Sequence, residues 1–431
     1  MGIHTHYTPT WTPKVHDFEE SNSGIQNKNI TDTSTALNIF LEFMNEEIIN
    51  KIVFESNNYY QQMIEEDVNM KQNMRNLGPD EFMCFLGIVL LMSRVKKLEI
   101  HEYWSTNILI ETPMFAKVMK RDRFKFIMRI LHFRNNNEQS SDRLRKISSM
   151  TTVLKEILPK NFTPYQNLCI DESLLLFKGR LLFKQYIPSK RSRFGIKMFI
   201  ISDCKTGYIL DFIIYSGSTT EITSNNPELG KSGQIVLMLM NNYLHKGHCL
   251  YVDNWYSSPL LFQYLHQQQV NACGTVKKNR KHMIKFGQKL RKGDVIFYSS
   301  GPTLAIKWCD KREVHMLTTI HEISMTETEK IDKITKQKVQ KPTAVLEYNE
   351  NMGAVDKSDM MLSSIKCTRK AIKWYKKIFF HLVDICIYNP YILYNIQKKK
   401  RTTLADFQLE LIEQIFEKHN IINSSLYNSL F

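Results

Sequence analysis

Two short apolar runs that each stop at an aspartate constrain this chain most: Leu168-Cys-Ile170 leads into Asp171, and Cys249 to Val252 ends at Asp253. A run this short, closed by a polar residue and not continued at helical spacing, reads as a buried strand. Between the two runs, Ile196 to Ile201 and Tyr208 to Tyr215 flank the turn Ser202-Asp-Cys-Lys-Thr-Gly207, a hairpin signal. Helical spacing over about 234–244 and 259–268 and a further strand over Ala272 to Val276 complete the run. Strands separated by helices predict an α/β unit with parallel strands, and carboxylates that close such strands stand where α/β folds build their sites.

The flanks differ in character. Residues 1–35 are rich in Thr, Asn, Ser and His without a sustained period and read as a flexible arm. Apolar residues at helical spacing follow from Ala36 to Gln62, from a start at Gly78-Pro79-Asp80, over Phe115 to Phe133 and over Met150 to Leu158, which predicts a mainly helical N-terminal unit. After the α/β run, Val295 to Tyr298, Thr303 to Trp308 and Val314 to Ile320 read as strands, and Glu322 to Lys341 as a charged, mobile loop. From Tyr348 the chain is mostly helical, with Phe379 to Ile396 apolar. At 431 residues the chain has ample length for several such units.

Charge narrows the partners. Lys and Arg number 58 against 43 Asp and Glu, a formal net charge of +15, which favours a polyanion: nucleic acid or an acidic membrane surface. The longest apolar stretch, Phe82 to Met92, falls short of the roughly 20 residues that span a bilayer and reads as a buried helix, and the opening MGIHTHYTPTWTPK has no secretory pattern. No membrane association is expected. The eight cysteines stand singly with no CxxC pair, so neither a disulfide framework nor a zinc finger is expected, and a reducing compartment fits.

Four acids stand at the edges of regular elements: Asp171, Asp253, and the pair Asp356 and Asp359, which share one helix face at i, i+3. Any one alone reads as a turn or cap residue. Three carboxylates converging from distant segments would instead need divalent cations to relieve their repulsion, and hard oxygen donors suit Mg²⁺. Around them, Asp171 to Lys197 holds seven Lys and Arg against two acids; Lys277 to Lys292 adds eight and no acid; Lys366 to Lys377 mixes six more with Trp374 and Tyr375. Such strips suit phosphate contacts with base stacking, although basic runs alone also read as solvated faces.

Read together, Asp171-Glu-Ser-Leu-Leu-Leu-Phe-Lys-Gly-Arg180 with Lys184-Gln-Tyr186, Pro188, Lys190 and Gly195-Ile-Lys197, then Asp253-Asn-Trp-Tyr-Ser-Ser258, then Tyr348-Asn349 and Met352-Gly-Ala-Val-Asp356-Lys-Ser-Asp359, resemble the piggyBac family of DNA transposases. Further likeness lies in Tyr103-Trp104, Arg121-Asp-Arg-Phe124, Leu131-His-Phe133 and Cys273-Gly-Thr-Val, and covers about residues 36–400. The resemblance implies a ribonuclease-H-like catalytic core with a β-rich insertion domain, flanked by a mainly helical DNA-binding and dimerisation domain. In this chain the implied division is an arm (1–35), a first helical part (36–165), the core (166–277), the insertion (278–344), the core's third-acid helix (345–364) and a second helical part (365–431).

It further implies catalysis by Asp171, Asp253, Asp356 and Asp359, with the first three as ligands of Mg²⁺, for which Mn²⁺ substitutes. The implied reaction is DNA cleavage and joining to TTAA targets by a homodimer on double-stranded transposon ends. Residues expected to meet DNA are Lys178, Arg180, Lys184, Lys190, Lys197, Asn254, Lys277, Arg280, Lys281, Arg369, Lys370 and Trp374. Ala354 stands where the family usually has a second glycine, a change expected to be tolerated. Many members end in a cysteine-rich zinc domain; no cysteine follows Cys386, and no zinc is expected. Two other readings stay open: a host-adopted DNA-binding protein without transposition activity, and a different metal-dependent nuclease on the same fold. The run Lys398-Lys-Lys-Arg401 is a candidate nuclear import signal, and a nuclear location is expected.

Overall fold

The computed structural model describes residues 11–66, 74–188, 193–220, 222, 226–287, 289–331, 336–366, 373–399 and 401–422. Residues 11–35 do not behave as the free arm their composition suggests. Strand β1 (Gly24–Ile25) pairs antiparallel with β2 (Phe162–Thr163), Ile30 is buried in the core, and the Trp11 Nε1–H donates to the Gly301 carbonyl at 3.1 Å. Their many Asn, Ser and Thr side chains are consumed in local turns, as where Asn27 Oδ1 accepts from the Asn29 N–H, a use that leaves no hydrophobic period to read.

Among the described residues, nine strands form one mixed sheet: β3 (Asn167–Leu176), β4 (Gln185–Tyr186), β5 (Phe194–Asp203), β6 (Ile209–Ile214), β7 (Cys249–Val252), β8 (Asn271–Thr275), β9 (Val295–Ser300), β10 (Thr303–Cys309) and β11 (Glu313–Thr318). The order is β4-β5-β3-β7-β8-β11-β10-β9, with β6 on the same edge of β5 as β4. Only β3–β7 and β7–β8 are parallel, and they meet the α/β expectation through helices Gly230–Met240 and Pro259–Gln267. The three strands of the β-rich block continue this sheet, because β11 pairs antiparallel with β8. Residues 322–341, expected as a loop, contain a hairpin of β12 (Met325–Ile331) and β13 (Lys338–Pro342). A two-stranded surface ribbon buries almost nothing, so Met-Thr-Glu-Thr-Glu-Lys-Ile carries no apolar alternation that would announce it.

Helices cover the remainder. The helical stretch expected from Ala36 to Gln62 is two helices, Ala36–Leu41 and Glu46–Glu66, broken where the Asn45 side chain accepts from the Ile48 N–H. Helix Pro79–Arg94 is buried as its composition required, and at Gly87 it admits the Phe416 ring so closely that a Cβ there would clash. Helix Leu404–Lys418 supplies that ring, and Gln408 Nε2 donates to Ser93 Oγ at 2.9 Å, so the two ends of the chain share one core. Helix Trp374–Lys398 is buried over most of its length. Its Asn389, fully buried, accepts from the Ile209 N–H at 3.0 Å and donates to the Ile209 carbonyl at 2.8 Å, completing the hydrogen bonding of β6 with a side-chain amide.

Candidate active site

The pairing of β3 with β7 builds the site. Their parallel register sets Ile170 opposite Val252, so the next residues, Asp171 and Asp253, are neighbours; β7 ends there as expected, whereas β3 does not stop at Asp171 but runs on to Leu176, held by its pairing with β5. Neighbouring strands lie ~4.8 Å apart, and two segments separated in sequence thereby deliver their carboxylates side by side. Asp253 ends its strand and turns: its Oδ1 accepts from the Trp255 N–H at 2.8 Å, and Ser257 Oγ donates back to the Asp253 carbonyl at 3.0 Å. Ser258 then caps helix Pro259–Gln267 by accepting from the Leu261 N–H.

A third carboxylate joins these two. Donor atoms of Asp171, Glu172 and Asp253, all partly buried, lie within 4.8 Å of one another. Burial, and then the charge of Glu172, hold the Asp253 carboxyl above its ordinary range, opposed by the Trp255 and Tyr256 amides and by Lys197. Three close carboxylates in a partly desolvated site are a donor set that fits a hard divalent cation. Glu172 was not singled out by sequence, because strict strand alternation points it away from Asp171. The signal that could have found it is the adjacent Asp-Glu pair beside Lys197: the Lys197 Nζ lies 3.6 Å from Glu172 Oε2 and against the stacked rings of Phe199 and Trp255, 4.7 and 4.8 Å from their centroids.

Asp356 and Asp359 arrive on helix Ala354–Ser364. Asp359 Oδ1 accepts from Ser173 Oγ at 2.6 Å, which ties the helix to β3 two residues beyond Asp171. Cys169 Sγ, two residues before Asp171, donates to the Met352 carbonyl at 3.3 Å and lies against the amides of Ala354 and Val355 at the helix start. Ala354 is itself buried there and begins the helix without distortion. The third acid is thus brought beside the first, but its carboxylate is not among the three that meet within 4.8 Å. Strand register fixes the first two acids, whereas the third depends on how a helix packs.

The residues expected to meet DNA divide by placement. Lys178, Arg180, Asn254, Lys277 and Lys281 are exposed. Lys184 is half-buried, donating to the Gly179 carbonyl at 3.1 Å, and Lys197 faces Glu172. Arg280 braces the site: its Nη2 donates to the carbonyl oxygens of Asn254 and Trp255, the latter at 2.9 Å, and so ties the basic segment to the loop that carries Asp253. Trp374 packs edge-on to Phe183 and Tyr375 against the core. Lys190, Arg369 and Lys370 lie outside the described residues. Among the described residues no helix is long and apolar enough to cross a membrane.

Comparison with known proteins agrees with this architecture. A family model described as Transposase IS4 matches residues 35–391. Two human proteins are similar over most of the chain: PiggyBac transposable element-derived protein 3, 26% identical over 393 residues covering 88% of this chain and 64% of that protein, and PiggyBac transposable element-derived protein 2, 26% identical over 372 residues covering 83% and 61%. The chain therefore spans somewhat under two thirds of the length of these relatives. A solved structure, the cryo-EM structure of a piggyBac transposase synaptic complex with hairpin DNA, shares the fold with a TM-score of 0.79 at 24% identity, over 91% of this chain and 82% of that one.

Proposed function

Because this chain belongs to the Transposase IS4 family, among its piggyBac-type members, we propose that it cleaves DNA and joins the freed ends to TTAA targets, using Asp171 and Asp253 as the paired acids of the site. The observation that carries the reading is the parallel register that brings these two carboxylates, with Glu172, within 4.8 Å. The three acids would hold Mg²⁺, or Mn²⁺ in its place, with Asp356 on its neighbouring helix as the further expected ligand. When bound, such ions supply a polarised phosphodiester and an activated water or 3′-hydroxyl. The protein's part is positional: the Trp255 amide and Arg280 fix the Asp253 loop, and Ser173 with Asp359 fixes the third-acid helix. Lys178, Lys277 and Lys281 present charge to the phosphate backbone, which makes binding salt-dependent.

The remaining parts of the proposal are a homodimer on double-stranded transposon ends and nuclear entry through residues 398–401; deleting that run should abolish nuclear accumulation. The test of the chemistry is strand transfer: full chain, precleaved piggyBac-type transposon ends and a TTAA plasmid in Mg²⁺, beside Asp171→Asn and Asp253→Asn. Joining that both substitutions abolish is expected. The names of the human relatives, as transposable element-derived proteins, favour a second reading, a DNA-binding protein without transposition; it predicts no joining and duplex binding indifferent to Asp171→Asn.

A further inference from the structure

A cavity of about 220 Å³ opens against the first turns of helix Pro259–Gln267, which follows the loop that Arg280 holds. The register of the β-rich strands makes its floor. Ser300 is opposite Thr303, Tyr298 opposite Ala305, and Ala305 opposite Leu317, and directly opposed residues share a face. The alternate residues Leu304, Ile306 and Trp308 point the other way into a separate buried cluster, which leaves this face of β9, β10 and β11 to be covered by other elements. Leu260 and Gln263 of helix Pro259–Gln267 form one wall, and Met283 with Ile284 the other.

Three features indicate an occupant. An apolar cavity of ~150 Å³ holds benzene, so this one has room for a heteroaromatic ring between Tyr298 and aliphatic side chains. Its lining is not purely apolar: Gln263, His282, Ser299 and Ser300 line it beside the aliphatic side chains and offer hydrogen bonds to the edge of a ring. Finally, its wall is made by the basic segment. Lys277, Lys278, Lys281 and Lys285 are all exposed around Met283 and Ile284, with no acid between residues 277 and 292. The Met283 N–H donates to the Arg280 carbonyl at 3.0 Å, a single turn that separates the Asp253 loop, held by Arg280, from the cavity wall.

We propose that this cavity captures one unpaired nucleobase of a DNA strand running from the carboxylate site along residues 277–285, with lysines on its phosphates, Tyr298 and Leu260 on its faces and the Gln263 amide on its edge. The inference rests on the DNA-acting function proposed above. A charged polyanion with an apolar, hydrogen-bonding ring is the chemistry that matches a cationic rim around a cavity of mixed apolar and hydrogen-bonding side chains.

The test compares three labelled 20-mer duplexes of one sequence by fluorescence anisotropy with the full chain: fully paired, carrying a single bulged thymidine, and carrying an abasic residue at the bulge. The base-bearing bulge should bind roughly tenfold tighter than the abasic one, the size of one base–aromatic contact. Gln263→Leu should reduce that ratio and Leu260→Trp, which plugs the cavity from the helix, should bring it to one, both with paired-duplex affinity unchanged. Melting curves of both variants, expected to match the parent, establish that they fold. Equal binding of the two bulges by the parent chain overturns the inference and leaves DNA binding intact; failure to bind any of the three duplexes overturns it together with the function on which it rests.

Discussion

Gly274 shows how little room the site leaves at a single residue. It lies on β8 opposite Val252, the residue before Asp253, and a Cβ there would fall against the Val252 carbonyl and 2.5 Å from Ser257 Oγ. Both atoms belong to the turn that aims Asp253. Gly274→Ala should cost about 1–3 kcal/mol, the usual penalty of overpacking, and lower strand transfer beyond what the lost stability explains. Urea denaturation beside joining assays checks this; an unchanged joining rate would show that the Asp253 loop tolerates displacement. Residues also mark where sequence reading reached its limit. Asp171 and Asp253 could be found because each closes an apolar run, a one-dimensional signal. Glu172 left only the weaker signal of its acidic neighbour, because its approach to Asp253 depends on the turn taken by that loop, and Arg280 looked like a DNA contact because basic runs carry no record of which member turns inward.

At the scale of elements, the sheet and the helical unit are joined by polar side chains placed inside an apolar interface. Asn389 supplies both hydrogen bonds that Ile209 would otherwise lack. Asn389→Ala leaves a buried N–H and a buried C=O unmade and should destabilise the fold by about 3 kcal/mol, read as a lower urea midpoint; Asn389→Asp, which keeps only the acceptor, should do no better. Lys376 acts similarly on a helix end. Its ammonium, buried and pushed down to about 8 by that burial, donates to the carbonyls of Met128 and Arg129 at 2.6 and 2.9 Å, near the C-terminus of helix Arg121–Ile130. Lys376→Met keeps the stem and should cost about 1–2 kcal/mol, measured in the same way. Elements with a strong apolar period, such as β7 and helix Pro259–Gln267, were legible almost to the residue. The hairpin of β12 and β13 and the break at Asn45 were not, because edge pairing and side-chain capping leave no period behind.

The whole molecule carries a pH limit in its buried histidines. Burial holds His132 and His248 down to about 4 and His381 to about 3. In the unfolded chain each takes up a proton near pH 6.5, whereas the folded chain resists until far lower. Stability is therefore full above about pH 6.5 and is lost as pH falls toward 4, by about 1.4 kcal/mol per unit for each such histidine at the steepest. Urea midpoints between pH 7 and 4.5 should fall steeply, and His248→Gln should flatten part of the slope; a flat profile in the parent chain would contradict the burial of these rings.

The N-terminal segment bears on how the chain comes to be made. Trp11 is bonded to Gly301, the ring of His16 lies 4.4 Å from that of His266, and the His16 N–H donates to the Asn271 side chain. These partners follow it in sequence by 290 and about 250 residues. At 5–20 residues per second, a growing chain holds residues 11–18 for roughly 10–60 s before their partners leave the ribosome. In that stretch Trp11, Val15 and Phe18 are separated from one another by Thr, Pro, Lys, His and Asp, so it offers no continuous apolar surface to a wrong partner while it waits. Its unpatterned composition suits a piece of chain that is made well before its partners and docks only after them.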